Sequence, residues 1–172
     1  MTVIIGIDPG SRRTGFGVID ASGGQVRYVT SGIIRLPEGE LPARLKVICQ
    51  SVGELIDQYK PQLMAIEDVF FARDPRAALR LGQARGAAIV AGVQADLPVA
   101  EYSARTVKQA VVGNGAASKE QVQHMVTRLL SLPATPQEDA ADALAVAICH
   151  AHSLSRHSVL NQAGSYARGR LQ

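Results

Sequence analysis

Four acids stand in segments that are otherwise apolar. Asp8 closes the run Val3-Ile4-Ile5-Gly6-Ile7, Glu67 follows Leu63-Met64-Ala65-Ile66, and Asp139 and Asp142 flank Ala140-Ala141 just ahead of Ala143-Leu144-Ala145. A carboxylate buried in such surroundings costs on the order of several kcal/mol unless a partner replaces its lost hydration. A divalent cation is the most effective partner. Convergent carboxylates suit magnesium, which takes hard oxygen ligands and keeps several waters, whereas zinc would call for His or Cys. The four histidines, at 124, 150, 152 and 157, lie outside the acidic segments. Each acid also has an ordinary explanation. Asp8 precedes Pro9-Gly10 as turn residues do, and acids in the first turn of a helix, Glu138 among them, favour its dipole. Together, however, the four fit a hard-cation site. Two metals about 3.5–4 Å apart can align a water on a phosphodiester and stabilise the leaving oxygen, with no side-chain nucleophile. No convincing Ser-His-Asp or Cys-His arrangement competes with that chemistry.

The elements that must position these acids follow from the hydrophobic pattern. Residues 3–7 form a short continuous apolar run, a central strand covered on both faces. Asp8-Pro9-Gly10-Ser11 is turn chemistry, and 14–19 resumes as a second strand in which Gly15 and Gly17 permit close backbone approach. A third strand over 25–36 completes an antiparallel meander. Leu41, Leu45, Ile48, Val52, Leu55, Ile56 and Tyr59 recur at helical spacing until Lys60-Pro61, and 63–69 follows as a strand parallel to a neighbour. Strand alternation places Glu67 on the face of Ala65 and Val69, opposite Asp68.

A helix over 76–95 leads to a short strand at 99–102. Gly82 and Gly86, four apart on that helix, mark either a dimer contact or, as the plainer expectation, tight packing on the sheet. Gly113-Asn114-Gly115 ends the next helix, Ser118 caps its successor with Gln121 in the capping-box position, and a last helix spans 137 to about 153. On it Asp139 and Asp142, three apart, share a face. The expected architecture is an α/β layer fold: a mixed five-stranded sheet, a three-strand antiparallel meander plus two parallel strands, flanked by helices.

A chain of 172 residues, 47% apolar, suffices for one domain, expected over 1–155, followed by a flexible basic tail over 156–172. Cys49 and Cys149 match no metal-ligand spacing and suit a reducing compartment, and no signal-peptide pattern or membrane-length apolar run is visible. A cytoplasmic protein is expected. The net charge of +3 understates its polarity along the chain: no acid follows residue 142, while Arg156, Arg168 and Arg170 do. With the four acids neutralised by metal, eighteen cations face eleven anions, a moderate pull toward a polyanion.

Gly6-Ile7-Asp8-Pro9-Gly10-Ser11, Ala65-Ile66-Glu67, Leu81-Gly82-Gln83-Ala84-Arg85-Gly86, Val107-Lys108-Gln109, Gln121-Val122-Gln123-His124-Met125-Val126 and Asp139-Ala140-Ala141-Asp142-Ala143-Leu144-Ala145 resemble, in order, the RuvC family of Holliday-junction resolvases. The likeness runs over roughly residues 1–153 and returns at Ala167-Arg168-Gly169-Arg170-Leu171. It implies a ribonuclease H-like fold, a homodimer, and metal-dependent symmetric nicking of two strands of like polarity in four-way junction DNA, in homologous recombination and repair. It further implies magnesium, two ions per site with manganese able to substitute, and a branch-migration helicase complex of RuvA and RuvB type as partner. By position, Asp8, Glu67, Asp139 and Asp142 are then the catalytic metal ligands, and Lys108 and Lys119 contact DNA near the scissile phosphate. Phe70 takes the place of an aromatic near the junction centre, where stacking on an unpaired base is worth about 1–3 kcal/mol. Arg73, Arg76 and Arg80 continue that stretch and read as phosphate contacts, or more plainly as a solvated helix start. Asp68 departs from the Gln common in the family.

Other classes remain to be separated. The actin-like and sugar-kinase ATP fold also begins with a strand, Asp-x-Gly and a second strand, but needs two domains and a second phosphate loop. A related nuclease acting on other branched nucleic acid is a further reading. A junction-binding module without activity would be expected to lack one of the acids, and none is missing.

Overall fold

The computed structural model describes residues 2–68 and 74–168, with side chains described up to residue 156. Five strands, β1 (Val3–Asp8), β2 (Arg13–Asp20), β3 (Arg27–Arg35), β4 (Leu63–Asp68) and β5 (Val99–Ser103), form one sheet in the order β3-β2-β1-β4-β5. The pairs β1–β2 and β2–β3 are antiparallel, whereas β1–β4 and β4–β5 are parallel. This is the mixed sheet that the hydrophobic pattern anticipates.

Helices α1 (Leu41–Tyr59) and α2 (Pro75–Gln94) cover one face, where Ile5, Ile7, Met64 and Ile66 pack against Ile48, Val52, Ala84 and Ala88. Helices α3 (Ala104–Val112), α4 (Lys119–Leu129) and α5 (Glu138–Arg168) cover the other, where Ile4, Ile19 and Ala65 meet Val107, Val126, Leu144 and Ile148. Burial on both faces explains why β1 and β4 read as continuous apolar runs rather than alternating ones.

Local chemistry sets the boundaries. Glycine at 113 takes the left-handed conformation that ends α3 (φ 82°), and Ser118 with Gln121 forms a full capping box at the start of α4. Glycines in the sheet decide how close α5 lies. A methyl group at Gly6 would strike the Ala143 carbonyl, and one at Gly15 the Asp139 carbonyl. The first turns of α5 therefore lie backbone-to-backbone on β1 and β2, which carries Asp139 and Asp142 to the end of β1.

Two expectations fail. Gly82 and Gly86 do not pack on the sheet: a methyl group at either would meet open space, because the core-facing side of α2 is Ala84, Ala88, Ala91 and Gly92. Helix α5 does not stop near Ser153 but continues to Arg168, through the segment read as tail. Loss of the apolar period removed the sequence signal there, yet no proline interrupts the chain between those residues.

Candidate active site

Asp8 ends β1, and Glu67 lies in β4 one residue beyond the paired Ile7 and Ile66. Both acids sit on the α3–α5 side of the sheet, as strand alternation requires of residues in phase with Ile4 and Ala65. They line a cavity of about 210 Å³ together with Asp142 of α5, Lys108 of α3 and Lys119 of α4; Ala104, Val107 and Val122 supply its apolar wall. Five residues, most of them far apart in sequence, thus meet at the end of the two central strands.

The acids disturb one another strongly. Burial, then the neighbouring Glu67, Asp142 and Asp139, push the Asp8 carboxyl up to about 8. Burial and Asp142 also raise Glu67, against a hydrogen bond from the Asp8 carboxyl. Asp142 is raised by burial, partly offset by Lys119. Desolvation plus like charge is the pattern of a site built to hold positive charge.

Asp139 stands at the margin of this pocket, where its Oδ2 lies 3.1 Å from Nε of the exposed Arg13. Lys119 is paired with Glu138, which raises its pKa. Among the described residues no three Asp, Glu, His or Cys side chains stand close enough to grip a single ion. The donor set nevertheless fits a hard divalent cation in kind: the carboxylates of Asp8, Glu67 and Asp142, with no thiol or imidazole in the cavity. Side-chain adjustment would have to bring the ligands together.

Other expected site residues are placed less tightly. Arg76 and Arg80 are exposed on the first turns of α2 and do not line the acid pocket. Phe70 and Arg73 lie outside the described residues. Asp68 points away from Glu67, toward α2, where it lies 3.7 Å from the Arg85 guanidinium.

Two arginines escaped the sequence reading of the site. Arg13 meets Asp139, and Arg85 donates from Nε to the Glu67 carbonyl at 3.2 Å while pairing with Glu101 as well as Asp68. Arg85 stands inside one of the quoted motifs and Arg13 five residues past Asp8, but neither position announces its partners, which the folded sheet reveals.

Comparison with known proteins bears on this arrangement. The family model described as "Crossover junction endodeoxyribonuclease RuvC" matches residues 4–150. The crossover junction endodeoxyribonuclease RuvC of Tolumonas auensis is 59% identical over 175 residues, covering 100% of both chains. The solved RuvC of Thermus thermophilus superposes with a TM-score of 0.82 at 35% identity, covering 91% of this chain and 97% of that one. The T. thermophilus RuvC solved in complex with a Holliday junction substrate gives 0.81 at 33% identity, over 91% and 96%. The mixed sheet with helices on both faces is the ribonuclease H-like fold of these resolvases. With the acids at its parallel strand ends and the family match spanning nearly the whole domain, the chain belongs to the RuvC family of crossover junction endodeoxyribonucleases.

Proposed function

We propose that the four acids and two lysines cut junction DNA symmetrically, one strand per protomer of a homodimer, the two strands being of like polarity. As a family member the chain is a Holliday-junction-resolving endonuclease. The observation that carries the assignment of its chemistry is the shared cavity of Asp8, Glu67, Asp142, Lys108 and Lys119. Asp8, Glu67, Asp139 and Asp142 would hold magnesium, two ions per site with manganese as a substitute. Bound there, the metal supplies Lewis-acid stabilisation of charge on the phosphodiester and a more acidic water.

The chain's own residues divide the remaining work. Lys108 and Lys119 face the acids and are placed to hold the phosphate that enters between them. Glu138 keeps Lys119 charged and oriented. Arg76 and Arg80, exposed on α2, suit phosphates farther along an arm, and Phe70 and Arg73 belong to the same reading through family position.

The dimer surface in this account is α2. Leu79, Val90 and Val93 are exposed apolar residues, and with Gly82 and Gly86 they form a stripe directly opposite the helix's core face. A second copy of the chain is the occupant that a two-fold substrate requires, since paired sites then face equivalent strands. Helicase-type branch-migration partners of the RuvA and RuvB type and a cytoplasmic setting complete the reading. Among the described residues no helix is long and apolar enough to cross a membrane.

Magnesium-dependent cleavage of a synthetic four-way junction, compared with linear duplex and with ATP turnover as control, tests the proposal. Paired nicks in the junction alone are expected. Equal cutting of linear duplex, or ATP hydrolysis without nicking, would overturn it.

A further inference from the structure

A second opening lies between α3 and α5, apart from the acids. It is a groove of about 670 Å³ lined by Arg105, Thr106 and Gln109 on one side and His152, Ser155 and Arg156 on the other. No carboxylate lines it. Among the described residues neither Arg105 nor Arg156 has a carboxylate partner, although the chain's ion pairs engage Arg13, Lys60, Arg85 and Lys119. Guanidinium groups stay charged at any working pH, so the groove carries standing positive charge without internal compensation.

Its other polar groups are already used locally. The Gln109 amide donates to the Gly113 carbonyl at 2.9 Å and accepts from the Gly115 N–H at 3.1 Å. The Thr106 hydroxyl pairs with Ser103 at 2.9 Å, and His152 Nδ1 lies 3.2 Å from the Ala110 carbonyl. The two arginines remain for an incoming anion. A planar fork of donors matches the oxygen pairs of a phosphate.

Position decides which phosphate. Arg105 stands one turn from Lys108 on α3, and Lys108 lines the acid pocket. Arg156 follows Asp142 on α5 by fourteen residues, which at 1.5 Å per residue is about 21 Å along the helix. Anchors that far apart exceed any mononucleotide and match roughly six nucleotides of duplex, at about 3.4 Å per step on each strand. We propose that the Arg105–Arg156 groove holds backbone phosphates of a junction arm, the one at Arg156 about six nucleotides from the scissile phosphate. The proposal rests on the junction-cutting reading and adds an arm-length requirement to it.

Junction affinity of the full-length protein, measured against salt concentration, tests this with wild type, Arg156→Ala, Arg105→Lys and the double variant Arg105→Ala with Arg156→Ala. Substrates are four-way junctions with long arms and with arms trimmed to less than that span. On long arms Arg156→Ala should lower the slope of log affinity against log salt by about 0.9, the double variant by about twice that, and Arg105→Lys not at all. On trimmed arms Arg156→Ala should agree with wild type. Manganese binding and single-turnover cleavage at saturating enzyme should be unchanged throughout. Equal slopes on long arms, or the same loss on trimmed arms, would overturn the groove's role. Failure of the wild type to bind junctions would instead sink the underlying reading, so the two outcomes are distinct.

Discussion

Asp8 and Glu67 stand side by side at the ends of two parallel strands, and burial together with the charge of the neighbouring acids raises both carboxyls. The metal-free pair thus favours a protonated Asp8, and a doubly charged ion would release that proton. Asp8→Asn keeps the shape but removes the carboxylate proposed to hold metal. Cleavage of a four-way junction should fall at least 10³-fold, on the order of what loss of an essential electrostatic group costs, while junction affinity at fixed salt stays within about twofold, because phosphate contacts carry it. Nicking at the wild-type rate would remove Asp8 from the site.

The same pair sets a pH dependence in the metal-free protein. The folded chain keeps the Asp8 proton up to about pH 8, whereas the unfolded chain releases it near 3.8. Between those values the folded state binds the extra proton, so stability declines as pH rises through that window and levels off above it. Glu67 and Asp142, both raised, act with the same sign. Urea denaturation in chelator across pH 4 to 8 should show this decline, and Asp8→Asn should flatten it. For a chain of this size each 1 kcal/mol of relieved cost appears as about 2–4 °C in Tm. Parallel curves for the two proteins would contradict a raised Asp8 carboxyl.

Arg13 holds Asp139 at 3.1 Å from a position 62% exposed, so the ion pair competes with any cation for that carboxylate. Exposed pairs are worth about 0–1 kcal/mol. Arg13→Ala should therefore tighten manganese binding to the free protein by up to about fivefold, as read by titration calorimetry. Unchanged or weaker binding would show that Asp139 is not waiting behind Arg13.

Lys119 faces the acid pocket and is oriented by Glu138. Lys119→Ala should slow single-turnover cleavage about tenfold or more and reduce the salt slope of junction binding by about 0.9. Glu138→Gln should slow cleavage less and leave that slope intact. An unaltered slope in Lys119→Ala would argue against a phosphate contact at this residue.

Arg85 ties α2 to the end of β4 through the Glu67 carbonyl, and it sits between Asp68 and Glu101. Its loss leaves two acids close together and frees the backbone that aims Glu67. Arg85→Ala should destabilise the fold by about 1–3 kcal/mol and lower kcat with KM for junction DNA little changed. Arg85→Lys should recover stability more than kcat, because a lysine cannot serve all three partners at once. A rise in KM alone would make Arg85 a DNA contact instead.

Much of this architecture was legible in the chain. Continuous apolar runs marked β1 and β4 as central strands, Ser118 and Gln121 marked the start of α4, and acids ending apolar runs marked the pocket, because each signal is local. The glycines at 15 and 17 announced close approach without saying of what; the answer, the backbone of α5, lies more than a hundred residues away. Arg13 was invisible as a site residue for the same reason, and Arg85 because its link to Glu67 runs through a backbone carbonyl. Gly82 and Gly86 misled because a small-residue face reads alike whether it meets the sheet or another molecule. The continuation of α5 past Ser153 was hidden because helix periodicity shows only where a helix faces a core.

The central claim is that Asp8, Glu67 and the acids of α5 grip a common cation. A crystal of the full-length protein grown with manganese, with the ion located by its anomalous signal, tests this most directly. Manganese should lie within ligand distance of Asp8 and at least one of Glu67, Asp139 and Asp142, with Asp139 turned from Arg13 if it joins them. Manganese bound elsewhere, in a protein that cleaves junctions with the same ion, would contradict it.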